Sequence, residues 1–289
     1  MSIDLSKSIM DVIKYRTSIR TYDNKPLSEE LKDKLQKHID TVNNGPFNEK
    51  VRFKIIDKAD KSNEDVKLGT YGVIKGARAF IVASIKKNDE ALEQLGYTLE
   101  DIVLYATSLG IGTVWLGGTF NKGEFAKAID IKANEIVPIV LPIGISAEKK
   151  SLTEKMMRFV TRAKNRKRFS NMFFSENFTK QLDESKAGEY GKALEMVRLA
   201  PSASNKQPWR IIVDDEGYHF FLSHTKGYRS MGFDMQKIDI GIAMYHFAAS
   251  AKELNLKGHW SKKFKHIKKA PSETEFIMSW IKEIPSQKF

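Results

Sequence analysis

Two halves of this chain read alike, and that self-similarity constrains its fold more than any single motif. Placing Trp115 on Trp260, an offset of 145, also places Gly96 on Gly241, Ala106 on Ala251, Leu109 on Leu254 and Ile111 on Leu256. Upstream, the helix, loop and strand around residues 48–53 match those around 205–210 at an offset of 157, so one loop deletion of 12 residues reconciles the two registers. Self-similarity at a fixed offset marks a repeated unit. Amphipathic helices alone generate part of such a match, so duplication is an expectation for the structure to test. The 289 residues then divide into two units of ordinary domain size. Two similar units in one chain can pack as a pseudo-dimer, with a ligand site where they meet.

Local patterns place the elements. Apolar Ile9, Met10, Val12 and Ile13 at helical spacing predict a helix over residues 6–15. Ser28 is a candidate N-cap for a helix running through Ile39. Strands are expected over 51–57, 79–85 and 136–145, the second apolar on both faces. A helix over 99–109 ends at Gly110-Ile111-Gly112, and a short one covers 124–129. Residues 148–168 read as a basic connector. Beyond it the pattern predicts a helix at 192–199, a loop at 200–208, strands at 210–213 and 219–222, and a long helix over 238–254.

Composition removes several chemistries. The chain has no cysteine, which excludes a disulfide framework, thiolate catalysis, iron–sulfur clusters and cysteine-ligated zinc. Its six histidines show no metal-ligand spacing and read as structural. There is no phosphate-binding G-x-x-x-x-G-K-[ST] loop and no G-x-S-x-G elbow. Gly110-Ile111-Gly112 ends a helix rather than opening one, so it is not a dinucleotide fingerprint. The net charge of +12 favours anionic partners without choosing among phosphate ligands, nucleic acid and membrane surfaces. The basic, aromatic-laced run 261–269 reads as a solvated face or a nucleic-acid patch. No stretch reads as a signal peptide, and the apolar run 136–143 is too short to span a bilayer, so a cytoplasmic location is expected.

Three segments carry chemistry. Arg16-Thr17-Ser18-Ile19-Arg20 offers two guanidiniums and two hydroxyls to a phosphate or an anionic ring edge, or else is a solvated helix end. Pro201-Ser202-Ala203-Ser204-Asn205-Lys206-Gln207-Pro208-Trp209 is a rigid polar loop able to address a heteroaromatic ligand, or a plain helix-to-strand turn. Lys164-Asn165-Arg166-Lys167-Arg168 is a basic stretch.

Together, an R-x-S-x-R start, an A-P-S-x-x-N-x-Q-P-W loop and a helix ending in L-G-I-G-T-x-W-L-G-G resemble the FMN-dependent nitroreductase family, in its fused single-chain branch. The resemblance implies an α+β fold, with mostly antiparallel sheets flanked by helices and two similar halves packed as an intramolecular pseudo-dimer. It implies a first half over 1–150, a basic connector over 151–170 and a second half over 171–289. Members bind FMN where two subunits meet. Here the arginine motif stands only in the first half and the full loop only in the second, so one FMN per chain is expected.

The resemblance assigns Arg16, Thr17, Ser18 and Arg20 to the phosphate, ribityl chain and N1–C2=O edge of the flavin. It assigns Pro201, Ser202, Ser204 and Asn205 to the isoalloxazine, and the backbone of Trp115, Leu116, Gly117 and Gly118 to the ring near N5. Lys164, Arg166 and Arg168 would hold the phosphate, and Tyr71 the polar ring edge. The implied activity is ping-pong transfer of hydride from NAD(P)H, through the flavin, to a small oxidised acceptor such as a nitroaromatic or quinone. A non-catalytic flavin-binding or sensing protein on the same fold is the alternative. The expected partners are small molecules, with neither nucleic acid nor membrane, and the expected state is a monomer acting as a pseudo-dimer.

Overall fold

A computed structural model describes residues 8–42, 45–58, 68–88, 90–160, 165–226, 228, 232–263 and 270–283. Among these, 15–160 form one compact unit and 8–14 with 165–283 another.

The first unit contains α2 (Glu29–Thr41), β1 (Val51–Asp57), β2 (Ala79–Lys86), α3 (Ala91–Ser108), β3 (Gly112–Thr113), α4 (Lys122–Ala128), β4 (Glu135–Gly144) and α5 (Leu152–Val160). Its sheet has the order β1-β2-β4-β3, antiparallel throughout. The second unit contains α1 (Ile9–Tyr15) apart from its last residue, β5 (Phe173–Ser175), α6 (Gly191–Leu199), β6 (Trp209–Val213), β7 (Gly217–Ser223), α7 (Met235–Glu253), β8 (Gly258–Ser261) and β9 (Thr274–Lys282). Its sheet has the order β5-β6-β7-β9-β8, with β5 parallel to β6 and the rest antiparallel. α1 is first in the chain yet groups with the second unit, where the Met10 N–H donates to the Glu253 carboxylate at 3.3 Å.

The two units share a plan. Each has a helix, two hairpin-paired strands, a long central helix, then two more strands that fill the same places in the sheet, so β1-β2-β4-β3 corresponds to β6-β7-β9-β8. The long helices end alike, α3 with Leu109 and α7 with Leu254 as C-caps, the pair that the offset of 145 superposes. The differences lie in the connections. Residues 58–78 join β1 to β2 but only 214–216 join β6 to β7. That difference explains why no single register aligns the halves.

Most elements form where the pattern predicts them. Ser28 caps α2, its side chain accepting from the Leu31 N–H, while Leu35 and Ile39 face inward one turn apart. Seven successive residues of β2, Ala79 to Ile85, are buried. Four expectations need correction. α3 starts at Ala91, a full two turns before residue 99. Glu93, Gln94, Thr98 and Glu100 broke the apolar periodicity, yet all four are buried. Three of them have visible hydrogen bonds: Gln94 with Phe47, Thr98 with the Gln94 carbonyl, and Glu100 with Trp115.

α5 lies inside the region read as a basic connector. Ser151-Leu152-Thr153-Glu154 has the S-x-x-E spacing of a capping box, and the Ser151 hydroxyl accepts from the Glu154 N–H at 3.1 Å. β5 and β8 are short strands the pattern does not reveal. β9 is also not revealed by the pattern, although it is an interior strand of its sheet, between β7 and β8. Ser279 interrupts its apolar run, and the cross-strand partner His219 satisfies that serine through Nδ1 at 2.7 Å, both side chains being buried.

That pair generates a prediction. Ser279→Ala removes a buried hydrogen-bond partner of His219 and should cost about 1–3 kcal/mol of unfolding free energy. Denaturant titration of the variant checks it, and a midpoint equal to that of the unaltered chain would contradict the packing described.

Candidate functional site

In the first unit, residues 18–23 act as an added strand held along both edges. The Ile19 N–H donates to the Thr113 carbonyl at 2.9 Å. The Lys75 N–H donates to the Arg20 carbonyl, and the Tyr22 N–H to the Lys75 carbonyl, each at 2.9 Å. The Asp23 N–H reaches the Ile145 carbonyl at 3.0 Å, and the Ala147 N–H reaches that of Thr21 at 3.0 Å. The start of α5 closes the arrangement: the buried Glu154 carboxylate accepts from the Arg20 N–H at 3.2 Å, and Ser151 exchanges hydrogen bonds with the Thr21 hydroxyl.

Two glycines make room for this segment. A Cβ on Gly112 would lie 2.9 Å from Cγ1 of Ile19, next to its branch point. A Cβ on Gly76 would lie 2.3 Å from the Tyr22 carbonyl oxygen, and Gly76 also has a positive φ of 76°. The arginine motif and the Gly112–Gly118 stretch, which sequence placed far apart, are therefore neighbours in one unit. Arg16, Thr17, Ser18 and Arg20 are all half-buried there.

Within that stretch, the Trp115 indole N–H donates to Glu100 at 3.2 Å. Leu116 commits both backbone groups to Val140 at 3.0 Å, so it supplies shape rather than a hydrogen bond to a ligand. Gly117 and Gly118 follow, the second exposed. Tyr71 is 71% exposed, in a turn with Gly72 where both have positive φ.

In the second unit, the loop between α6 and β6 is dense with polar contacts and conformationally strained. Ser204, Asn205 and Gln207 have φ of 47°, 56° and 50°. Three left-handed non-glycine residues in one short loop cost of order 1–3 kcal/mol each and persist only where surroundings fix them. The fixing contacts are visible. The Ser202 hydroxyl accepts from the Gln207 N–H at 2.8 Å. Asn205 accepts through Oδ1 from Arg166 at 3.1 Å and donates through Nδ2 to the Asn165 carbonyl at 2.8 Å. The buried Gln207 side chain accepts from the Lys167 N–H at 2.8 Å and donates to Asn205. Asp239 on α7 accepts from the Ala203 N–H at 2.9 Å.

The structure places the remaining sequence-assigned residues as follows. Arg166, assigned to a phosphate, places Nη1 on Asn205 and Nη2 on the Leu199 carbonyl at 3.0 Å, so it braces the loop. Arg168 is exposed, Ser204 is exposed, and Pro201 is half-buried. Lys164 lies outside the described residues. Gln207 and Asp239 were missed. Gln207 stood in the motif itself; Asp239 is one of several polar residues on α7, and only the repeat register marks it. Among the described residues no group of His, Asp and Glu could hold a metal ion, and no helix is long and apolar enough to cross a membrane.

Burial sets the charges around the loop. Burial pushes Lys167 down to about 8, with Arg210 and Lys206 adding repulsion. Burial pushes Asp239 up to about 8; the Ala203 N–H opposes that rise and the Asp234 charge adds to it.

Comparison with known proteins gives consistent results. A family model described as "Putative TM nitroreductase" matches residues 8–251. A protein of Methanothermobacter thermautotrophicus named "Putative NADH dehydrogenase/NAD(P)H nitroreductase" is 28% identical over 155 residues, 48% of this chain and 78% of that one. The crystal structure of a "putative nitroreductase" from Thermotoga maritima is 20% identical, with a TM-score of 0.61 over 95% of this chain and 94% of its own. At that identity the likeness is one of fold. A nitroreductase with bound FMN from Desulfitobacterium hafniense, 20% identical, covers 51% of this chain and 92% of its own with a TM-score of 0.42.

The Asp239 environment makes stability depend on pH. Its folded pKa of about 8 lies above the ordinary aspartate value of 3.8, so the folded chain holds a proton that the unfolded chain releases. The Asp239 contribution should therefore fall as pH rises from about 4 to about 8 and level off above. Denaturant titrations across that range should show Asp239→Asn gaining stability relative to the unaltered chain with rising pH. A constant difference would contradict the assignment.

Proposed function

This chain belongs to the "Putative TM nitroreductase" family, and from that membership we propose that it is an oxidoreductase that binds FMN and uses NAD(P)H to reduce a small oxidised acceptor such as a nitroaromatic or a quinone. When bound, FMN supplies the redox chemistry, taking a hydride from the nicotinamide and delivering it to the acceptor. The side chains bind and orient. This accords with a chain that has no cysteine.

The donor set suits the coenzyme. Arg16 and Arg20 bring positive charge, and Thr17 and Ser18 hydroxyls, to a half-buried segment anchored through the backbone of Ile19, Arg20, Thr21 and Tyr22. Guanidiniums match phosphate and planar anionic edges through charge-assisted hydrogen bonds. Trp115, Leu116, Gly117 and Gly118 supply a close backbone approach beside that segment, and Tyr71 a further contact at the polar edge. Pro201, Ser202, Ser204 and Asn205 orient the ring, while Arg168 and Lys164 are the cations for the phosphate. Arg166 acts on the coenzyme through Asn205. The observation that carries the reading is the strained loop at Ser204, Asn205 and Gln207, because backbone strain that surroundings over-determine is concentrated at ligand sites. One arginine motif and one complete loop support a single FMN per chain.

The test is spectroscopic. The purified protein should be yellow, and anaerobic NADH or NADPH should bleach the bound flavin rapidly. Arg16→Ala should weaken FMN binding by about 2–5 kcal/mol, read from fluorescence titration. A colourless protein with no affinity for added FMN would refute the proposal. Bound flavin that neither nicotinamide reduces would leave a binding protein in place of the enzyme.

A further inference from the structure

We infer that Gln94 and Asp239 are one positioning residue present in duplicate, each fixing the loop that leads into the first strand of its unit's hairpin. Gln94 lies on α3 and accepts through Oε1 from the Phe47 N–H at 3.1 Å. Asp239 lies on α7 and accepts through Oδ1 from the Ala203 N–H at 2.9 Å. The register that superposes Trp115 on Trp260 also superposes Gln94 on Asp239. Phe47 stands between α2 and β1, and Ala203 stands between α6 and β6, which is the same place in the shared plan. Topology, helix register and hydrogen bond agree, and the loop offset of 157 places Phe47 on Ser204, one residue from Ala203.

Both side chains are buried, at 1% exposure for Gln94 and 3% for Asp239. A buried acceptor aimed at a loop N–H leaves that N–H unsatisfied when it is removed. The contact in the first unit is tight, since a Cβ on Gly45 would lie 2.2 Å from Nε2 of Gln94.

The two copies differ in chemistry. The first unit uses an amide, which keeps its charge state at every pH. The second uses a carboxyl whose Oδ2 has no hydrogen-bond partner among the described residues. That carboxyl supports the loop bearing Ser202, Ser204 and Asn205. Resting on the function proposed above, Asp239 governs how firmly FMN is held by acting through this loop.

Hydrogen–deuterium exchange on the full chain, flavin-free and flavin-loaded, separates this claim from the flavin reading. Asp239→Ala should speed exchange in residues 204–207 at least tenfold, while Asp239→Asn, which keeps the acceptor oxygen, should stay within about threefold of the unaltered chain. Ala203→Pro deletes the donor without touching the helix, and the extended Ser202 backbone (φ −148°, ψ 160°) accepts a following proline. It should reproduce the alanine effect and add nothing to it in the double variant. Gln94→Ala should loosen residues 45–48 and leave 204–207 unchanged.

Equal exchange in Asp239→Ala and Asp239→Asn would overturn the inference, as would full protection in Ala203→Pro. FMN titration of the same variants should show at least tenfold weaker binding for Asp239→Ala and rescue by Asp239→Asn. If the unaltered chain binds no FMN, the flavin reading fails, and exchange on the flavin-free chain still decides the positioning claim.

Discussion

Tyr22 is the fastening on which the first unit's candidate site depends. Its buried hydroxyl shares its one hydrogen between the Ile19 carbonyl at 2.8 Å and the Pro142 carbonyl at 3.0 Å. That ties the segment carrying Arg20 to the end of β4. Burial raises the phenol's pKa well above its ordinary value, so the donor stays protonated. With backbone bonds to Thr113, Lys75 and Ile145 on either side, the segment has little freedom left. Its side chains are presented on a rigid base, which lowers the entropy lost when they grip a ligand.

The second unit solves a related problem differently. Its loop meets β7 at its last residue, where the Ser223 N–H donates to the Pro208 carbonyl at 2.7 Å. Side chains reach in from two further directions: Arg166 and Lys167 before β5, and Asp239 from α7. Gln207 joins these contacts within the loop. Left-handed backbone at Ser204, Asn205 and Gln207 is tolerated because many partners fix it at once. Removing one should loosen the whole, since contacts in one network are not additive.

Much of this was legible in the sequence. The repeat register, the Ser28 cap, the apolar β2 and the helix stop at Gly110 follow from periodicity and capping chemistry. The family motifs stood in plain text. What periodicity hides is polarity that burial satisfies. Glu93, Gln94 and Thr98 made the first turns of α3 look exposed, and Ser279 made β9 look broken. What sequence did not show for Arg166 is that its guanidinium meets Asn205 and the Leu199 carbonyl. Asp239 and Gln94 become conspicuous only when each is read as the other's copy.

Two halves of common plan have diverged, so that one keeps the arginine motif and the other the complete loop. Counting bound coenzyme tests it most directly. Native mass spectrometry of the flavin-saturated chain should show a mass increase of one FMN per polypeptide. Two equivalent FMN per polypeptide, or none at saturating coenzyme, would contradict it.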